Sequence, residues 1–210
     1  MSINSRTVRP WAAILLAVAG CATTKLVDTW TEPTARGASL SRLAVIYMSP
    51  SDTTRRIAED AAVQAMSKIK GAQVVASYHV LSGSDMPNLE AVRARLEKEG
   101  LDGALVMRPA GVQRRLVGDP GFYPTFTGYW GWAYPMAYGP GYIREETIVR
   151  LDTRLYSLKD DKLLWAGMSN TSDPSSINRL VHEVATKVAK ALQRDDLVAR
   201  AGAVPFTATR

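Results

Sequence analysis

Three short β-rich runs, set apart by helical patterns and brief connections, restrict the folds open to this chain more than any other feature. The first is Leu43-Ala44-Val45-Ile46-Tyr47-Met48, the second Gln73-Val74-Val75-Ala76-Ser77-Tyr78, the third Ala104-Leu105-Val106-Met107. Near-continuous apolar runs of this length suit strands covered on both faces. Between the first two, Ser51 or Asp52 is placed to cap a helix that runs to Lys70 and stops at Gly71, with Ile57, Ala61, Ala65 and Ile69 as an apolar stripe. Between the second and third, Pro87-Asn88 opens a shorter helix with Leu89, Val92 and Leu96 on one face, ended by Gly100. Alternation of this kind predicts a layered α/β domain whose first strands are parallel.

The pattern then changes. Between Thr147 and Leu158, apolar Val149, Leu151 and Leu155 alternate with Arg150, Asp152 and Arg154, which predicts a strand with one wet face. Lys159-Asp160-Asp161-Lys162 is a polar turn, and Leu163-Leu164-Trp165-Ala166-Gly167-Met168 returns as its hairpin partner. Asp173-Pro174 opens a long amphipathic helix with a seam of Ile177, Val181, Val184, Val188 and Leu192. The expected fold is α/β with α+β character at its C-terminal end: one mixed sheet of about five strands and three main helices, in the order β-α-β-α-β-β-β-α. The globular domain is placed at residues 42–194, a flexible Ala-rich tail at 195–210, and a polar tether at 21–41 in which Lys25 to Trp30 suit a short strand.

The first twenty residues read as an export signal. Arg6 and Arg9 precede the apolar run Trp11-Ala12-Ala13-Ile14-Leu15-Leu16-Ala17-Val18-Ala19, and a basic start with roughly 7–15 apolar residues marks a secretory leader. The run is shorter than the roughly 20 residues that a spanning helix needs. Val18-Ala19-Gly20-Cys21 resembles the lipobox of bacterial lipoproteins, which implies cleavage before Cys21 and a diacylglyceryl group on its thiol. Ala22 and Thr23 follow instead of Asp, and the resemblance then implies the periplasmic face of the outer membrane. Cys21 is the chain's single cysteine, so its use as a lipid anchor leaves no thiol for a disulfide, a nucleophile or a metal ligand. The formal charge of +6 includes Arg6 and Arg9, which leaves +4 on the mature chain. Export makes nucleic acid a poor partner; anionic lipid, lipopolysaccharide, peptidoglycan or an envelope protein suits that charge, as does a plain solvated surface.

Residues 118–142 stand apart. Nine of the chain's sixteen aromatic residues fall there among ten glycines and prolines, a density expected to exclude a regular helix or strand. No acidic or basic residue lies between Asp119 and Arg144. Three readings stay open: a disordered insertion, a lid folded over the domain, or an interaction surface. In the third, Trp130, Trp132, Tyr134 and Tyr138 anchor a partner, a glycan or a membrane interface.

Signals for catalysis are sparse. His79, with Ser82, Ser84 and Asp85 nearby, is the one arrangement that invites a hydrolase, but a triad rests on spatial geometry and not on proximity in sequence. His182 reads as a flanking helix residue. The adjacent pairs Glu145-Glu146 and Asp160-Asp161 are poorly placed for shared acid–base work, because neighbours in a strand point to opposite faces. Nucleophile-elbow, phosphate-loop, dinucleotide and zinc-protease motifs are absent from the sequence, and no cofactor or metal is expected.

Taken in order, four features make the chain similar to a set of uncharacterised proteobacterial lipoproteins. They are the lipobox, Thr29-Trp30-Thr31-Glu32-Pro33, the first strand followed by Arg55-Arg56-Ile57-Ala58-Glu59-Asp60-Ala61, and a Gly/Tyr/Trp-rich insertion before the last hairpin and helix. The strand order more loosely resembles the curli secretion channel subunit and the outer-membrane activator of penicillin-binding proteins. Those likenesses imply binding or assembly, not an enzyme, and the sequence shows no long channel-forming hairpin. The expectation is a non-catalytic envelope binding or scaffolding module. The alternatives are a subunit of an export or assembly complex, and a hydrolase of envelope polymers dependent on His79.

Overall fold

The computed structural model describes residues 23–83, 85–117, 124–138 and 144–199. Its elements are β1 (Thr23–Thr31), β2 (Arg42–Tyr47), α1 (Asp52–Met66), β3 (Gln73–Ala76), α2 (Leu89–Lys98), β4 (Gly103–Val117), α3 (Phe126–Tyr138), β5 (Arg144–Ser157), β6 (Lys162–Ser172) and α4 (Ile177–Arg194), with one 3-10 turn at Ser77–His79. The strands form a single mixed sheet in the order β1-β6-β5-β4-β2-β3. The class is α/β, as expected, with six strands and four helices among the described residues in place of five and three.

The β2 residues after Arg42 are all buried, as their apolar run requires. β2 is parallel to β3 on one side and to β4 on the other, and the rest of the sheet is antiparallel. Helices α1 and α4 cover one face, where Leu43, Val45, Leu105, Met107, Leu151, Leu155 and Trp165 meet Ala58, Ala62, Val184 and Val188. A smaller cluster on the other face joins Ala44, Ile46 and Ala104 to Leu96 of α2 and to Leu81 and Leu101. Ser51 caps α1, its hydroxyl accepting from the Thr54 N–H. The buried face of α1 carries Ala58, Ala61, Ala62, Ala65 and Met66, and Ile69 is buried just past it, so the expected stripe holds at Ala61, Ala65 and Ile69 and fails at Ile57, which is exposed. Alanines on that face let α1 and α4 approach closely, which a stripe drawn through the larger Ile57 overlooks. The seam of α4 is as expected at Val181, Val184, Val188 and Leu192, but its cap is Ser176 and not Asp173.

The segment expected as a tether contributes β1, a full edge strand against β6, with a register shift between Leu26 and Asp28. Within the same stretch Ala35 and Leu40 are buried. The tail placed from residue 195 is packed as far as Ala199: Leu197 and Val198 are buried, and Leu40 bridges Val198. Short apolar pieces with no period give no signal of this packing in sequence. Cys21, the export signal and residues 200–210 lie outside the described residues.

Candidate functional site

The third strand does not stop at Met107. Beyond Met107, where pairing with β2 ends, β4 runs on to Val117 with β5 as its partner. Pro109 sits just past that point, where its missing N–H costs no ladder bond to β2. A bulge follows between Pro109 and Gly111, and Gly111 takes φ 140°, a conformation that favours glycine. β6 ends at Ser172 opposite Ile148, so Arg114–Val117 pair only with Arg144–Thr147. The result is a two-stranded arm that outruns the sheet by about four residues, roughly 13 Å. The expected third strand, which ends at Met107, does not anticipate this extension.

Across the arm Arg115 is bonded to Glu146, directly opposite, and Arg114 lies 3.6 Å from Glu145. The Ser172 hydroxyl and then Arg115 hold the Glu146 carboxyl below the usual carboxylate range. Both ion pairs are exposed and contribute little to stability; they fix register. At the base, the Thr147 N–H donates to Asp173 Oδ1 at 2.8 Å and the Asp173 N–H donates back to the Thr147 carbonyl at 2.8 Å.

Between the two strands of this arm the chain carries α3, so the expectation that residues 118–142 exclude a helix is corrected. Thr125 caps it, accepting from the Gly128 N–H at 3.2 Å. Phe126, Trp130, Tyr134 and Tyr138 follow at intervals of four and stack along one face, with ring centroids 5.7, 5.8 and 4.9 Å apart in turn. Trp132 is on a different side, paired with Tyr129 at 5.7 Å. The structure therefore brings together three of the four anchors expected from sequence, adds Phe126 to them, and sets the fourth, Trp132, beside Tyr129. The four-residue spacing was the available signal, and glycine and proline density masked it. These rings are turned to solvent: Phe126 is 75% and Tyr138 77% exposed, with Trp130, Tyr134 and Tyr129 about half exposed. Residues 118–123 and 139–143 lie outside the described residues.

A second concave region lies at the carboxyl ends of β2 and β3, lined by Asp52, Arg55, Arg56, His79, Ser82 and Asp85 among others. Open α/β sheets often place ligands at such an edge. Beneath it Glu59 is fully buried and accepts from the Tyr47 N–H at 3.1 Å, the Ser77 hydroxyl at 2.7 Å and the Tyr78 N–H at 2.9 Å. Arg55, also buried, stands 3.6 Å from Glu59 and donates to the Leu81 carbonyl at 2.9 Å. Glu59 ties the loops down from below, whereas Arg55, held by the Leu81 carbonyl, also lines the concave region. The Ser82 hydroxyl donates to Asp85 at 2.7 Å, which with the Ser82 N–H holds Asp85 below the usual carboxylate range. The His79 ring packs 4.2 Å from Tyr78. The serine proton is thus directed to Asp85 rather than to the imidazole, and Ser84 lies outside the described residues. Among the described residues no three His, Cys, Asp or Glu side chains converge as a metal site.

No family model and no curated protein matches the chain. Solved structures similar to it include the PelC dodecamer from Paraburkholderia phytofirmans, at 14% identity over 86% of this chain and 99% of that one, with a TM-score of 0.44. The lipoprotein GNA1162 from Neisseria meningitidis is 14% identical over 73% of this chain and 99% of that one, with a TM-score of 0.39. Protein XCC0632 from Xanthomonas campestris is 11% identical over 79% of this chain and 90% of that one, also with a TM-score of 0.39.

Proposed function

We propose that this chain is an envelope lipoprotein, held through lipid on Cys21 at the periplasmic face of the outer membrane, and that it works as a non-catalytic binding or scaffolding module. The observation that carries the reading is the row of exposed aromatic rings on α3, in the segment that joins the two strands of the arm. Large rings with polar tips, free of competing charge, suit contact with a partner and are a costly surface to leave uncovered. No helix among the described residues is long and apolar enough to cross a membrane, which fits attachment by lipid.

The test sets the tagged, lipidated protein beside a version lacking residues 118–142. Each is crosslinked in cells and assayed for binding to membrane vesicles, peptidoglycan and lipopolysaccharide. Contact with an envelope component that disappears with the segment supports the reading. Contact that survives the deletion moves the site to the α/β domain, and no contact at all refutes a binding module.

A further inference from the structure

We infer that α3 lies in the lipid–water interface of the bilayer that holds the Cys21 anchor, as a second membrane contact that fixes how the domain stands on the membrane. The inference rests on the reading of Cys21 as lipidated and names the occupant of the aromatic surface.

Strand register carries the argument. Thr23, the first residue of β1, pairs with Ser172; Ser172 pairs with Ile148, and Ile148 with Gln113. The start of β1 is therefore level with the point at which the arm leaves the sheet. Only Ala22 separates Cys21 from Thr23 in the chain, and two peptide units span at most about 8 Å. The arm reaches only about 13 Å further in the same direction. Had β1 run the other way, the chain would have entered beside Trp165, which pairs with Thr31, roughly 27 Å along the strand from the arm's root. A bilayer that holds acyl chains on Cys21 is within reach of the arm and its helix, and the opposite end of the sheet faces away from it.

The chemistry of α3 suits that position. Thirteen residues make a helix about 20 Å long, too short for a hydrocarbon core of about 30 Å and suited to lying in the interface. Tryptophan and tyrosine favour the headgroup boundary, where the ring is sheltered and its polar tip stays wet. The helix carries no charge to be desolvated. Among the described residues the next charges along the chain are Arg144 and the neck pairs Arg114–Glu145 and Arg115–Glu146, and those pairs are mutually compensated. Contact of this kind does not depend on anionic lipid. Gly128, Gly131 and Pro135 make α3 a weak helix in water, and apolar surroundings strengthen the demand for internal backbone hydrogen bonds.

The experiment uses the full chain, expressed with its leader, purified from membranes and reconstituted in vesicles of phosphatidylethanolamine and phosphatidylglycerol. A phosphatidylcholine brominated near the top of its acyl chains serves as the quencher. Intact mass reports separately whether Cys21 carries acyl chains. We expect tryptophan emission to fall with brominated lipid, the quenched part to vanish in W130F/W132F and to persist in W30F, and salt to leave it unchanged; buried Trp165 supplies the unquenched remainder. Acylated Cys21 with no quenching from Trp130 or Trp132 overturns the inference and leaves the anchor standing, and a crosslink from α3 to a protein or a second copy in place of quenching does the same. Quenching from those residues without acylation keeps the helix at the membrane and overturns the anchor.

Discussion

Glu59 shows how far a single side chain can be misjudged from its sequence neighbours. Among Arg55, Arg56 and Asp60 it reads as part of a solvated helix face, yet it is fully buried and joins α1 to β2 and to the turn after β3 through three accepted hydrogen bonds. Glu59→Ala strips the compensating charge from buried Arg55 and leaves three donors unpaired, so a loss of about 3–5 kcal/mol is expected in urea unfolding. A loss below about 1 kcal/mol would show that water replaces the carboxylate. Gly167 is a second such residue. A Cβ there would collide with the Trp165 ring, which lies along β6 over the glycine backbone. Gly167→Ala must therefore displace a fully buried indole, and a cost of about 1–3 kcal/mol is expected from thermal or chemical denaturation. Sequence supplies only the hint that an isolated glycine within a strand marks a close approach.

At the level of elements, strands and helices with a clean period were legible, and those interrupted by glycine or proline were not. The α4 seam and the parallel β2, β3 and β4 follow directly from hydrophobic pattern. The apolar run of β4 stops at Met107, but the bulge at Pro109–Gly111 lets the strand leave β2 and continue. The helix α3 was missed for a related reason. Its interior carries Gly128, Gly131 and Pro135, which cost about 1, 1 and 3 kcal/mol relative to alanine. Its three stacked pairs at four-residue spacing return only about 0.2–0.5 kcal/mol each. Sequence rules weigh the first set and overlook what the helix rests on. Pro135→Ala removes the largest penalty, so amide-exchange protection over residues 131–138 is expected to rise in protein free of vesicles, by up to about 3 kcal/mol of local stability. Unchanged protection would show that the proline is already accommodated without loss.

For the whole molecule, topology gives the sheet two unlike ends. One carries the start of β1, the root of the arm and the capped first turn of α1; the other carries the hairpin turn between β5 and β6 and the packed stretch through Ala199. Among the described residues neither hydrophobic cluster contains one between Met107 and Val149, so folding of the domain and the contact made by the arm should be separable. Replacing residues 118–143 with a two-residue Asn-Gly turn, a sequence suited to closing an antiparallel pair, should then leave the core intact. The expected shift in thermal midpoint is within about 4 °C, the range that about 1 kcal/mol produces in a domain of this size. A much larger fall would mean that the arm belongs to the folding unit, and loss of contact in any deletion would then have to be read as unfolding. If the core holds as expected, the same variant also isolates the anchor: attachment through Cys21 would persist, while the orientation imposed by a second membrane contact would be lost. Accessibility of a probe on the α2 face to protease or to crosslinker from the bilayer would distinguish a domain held upright from one that swings on its lipid.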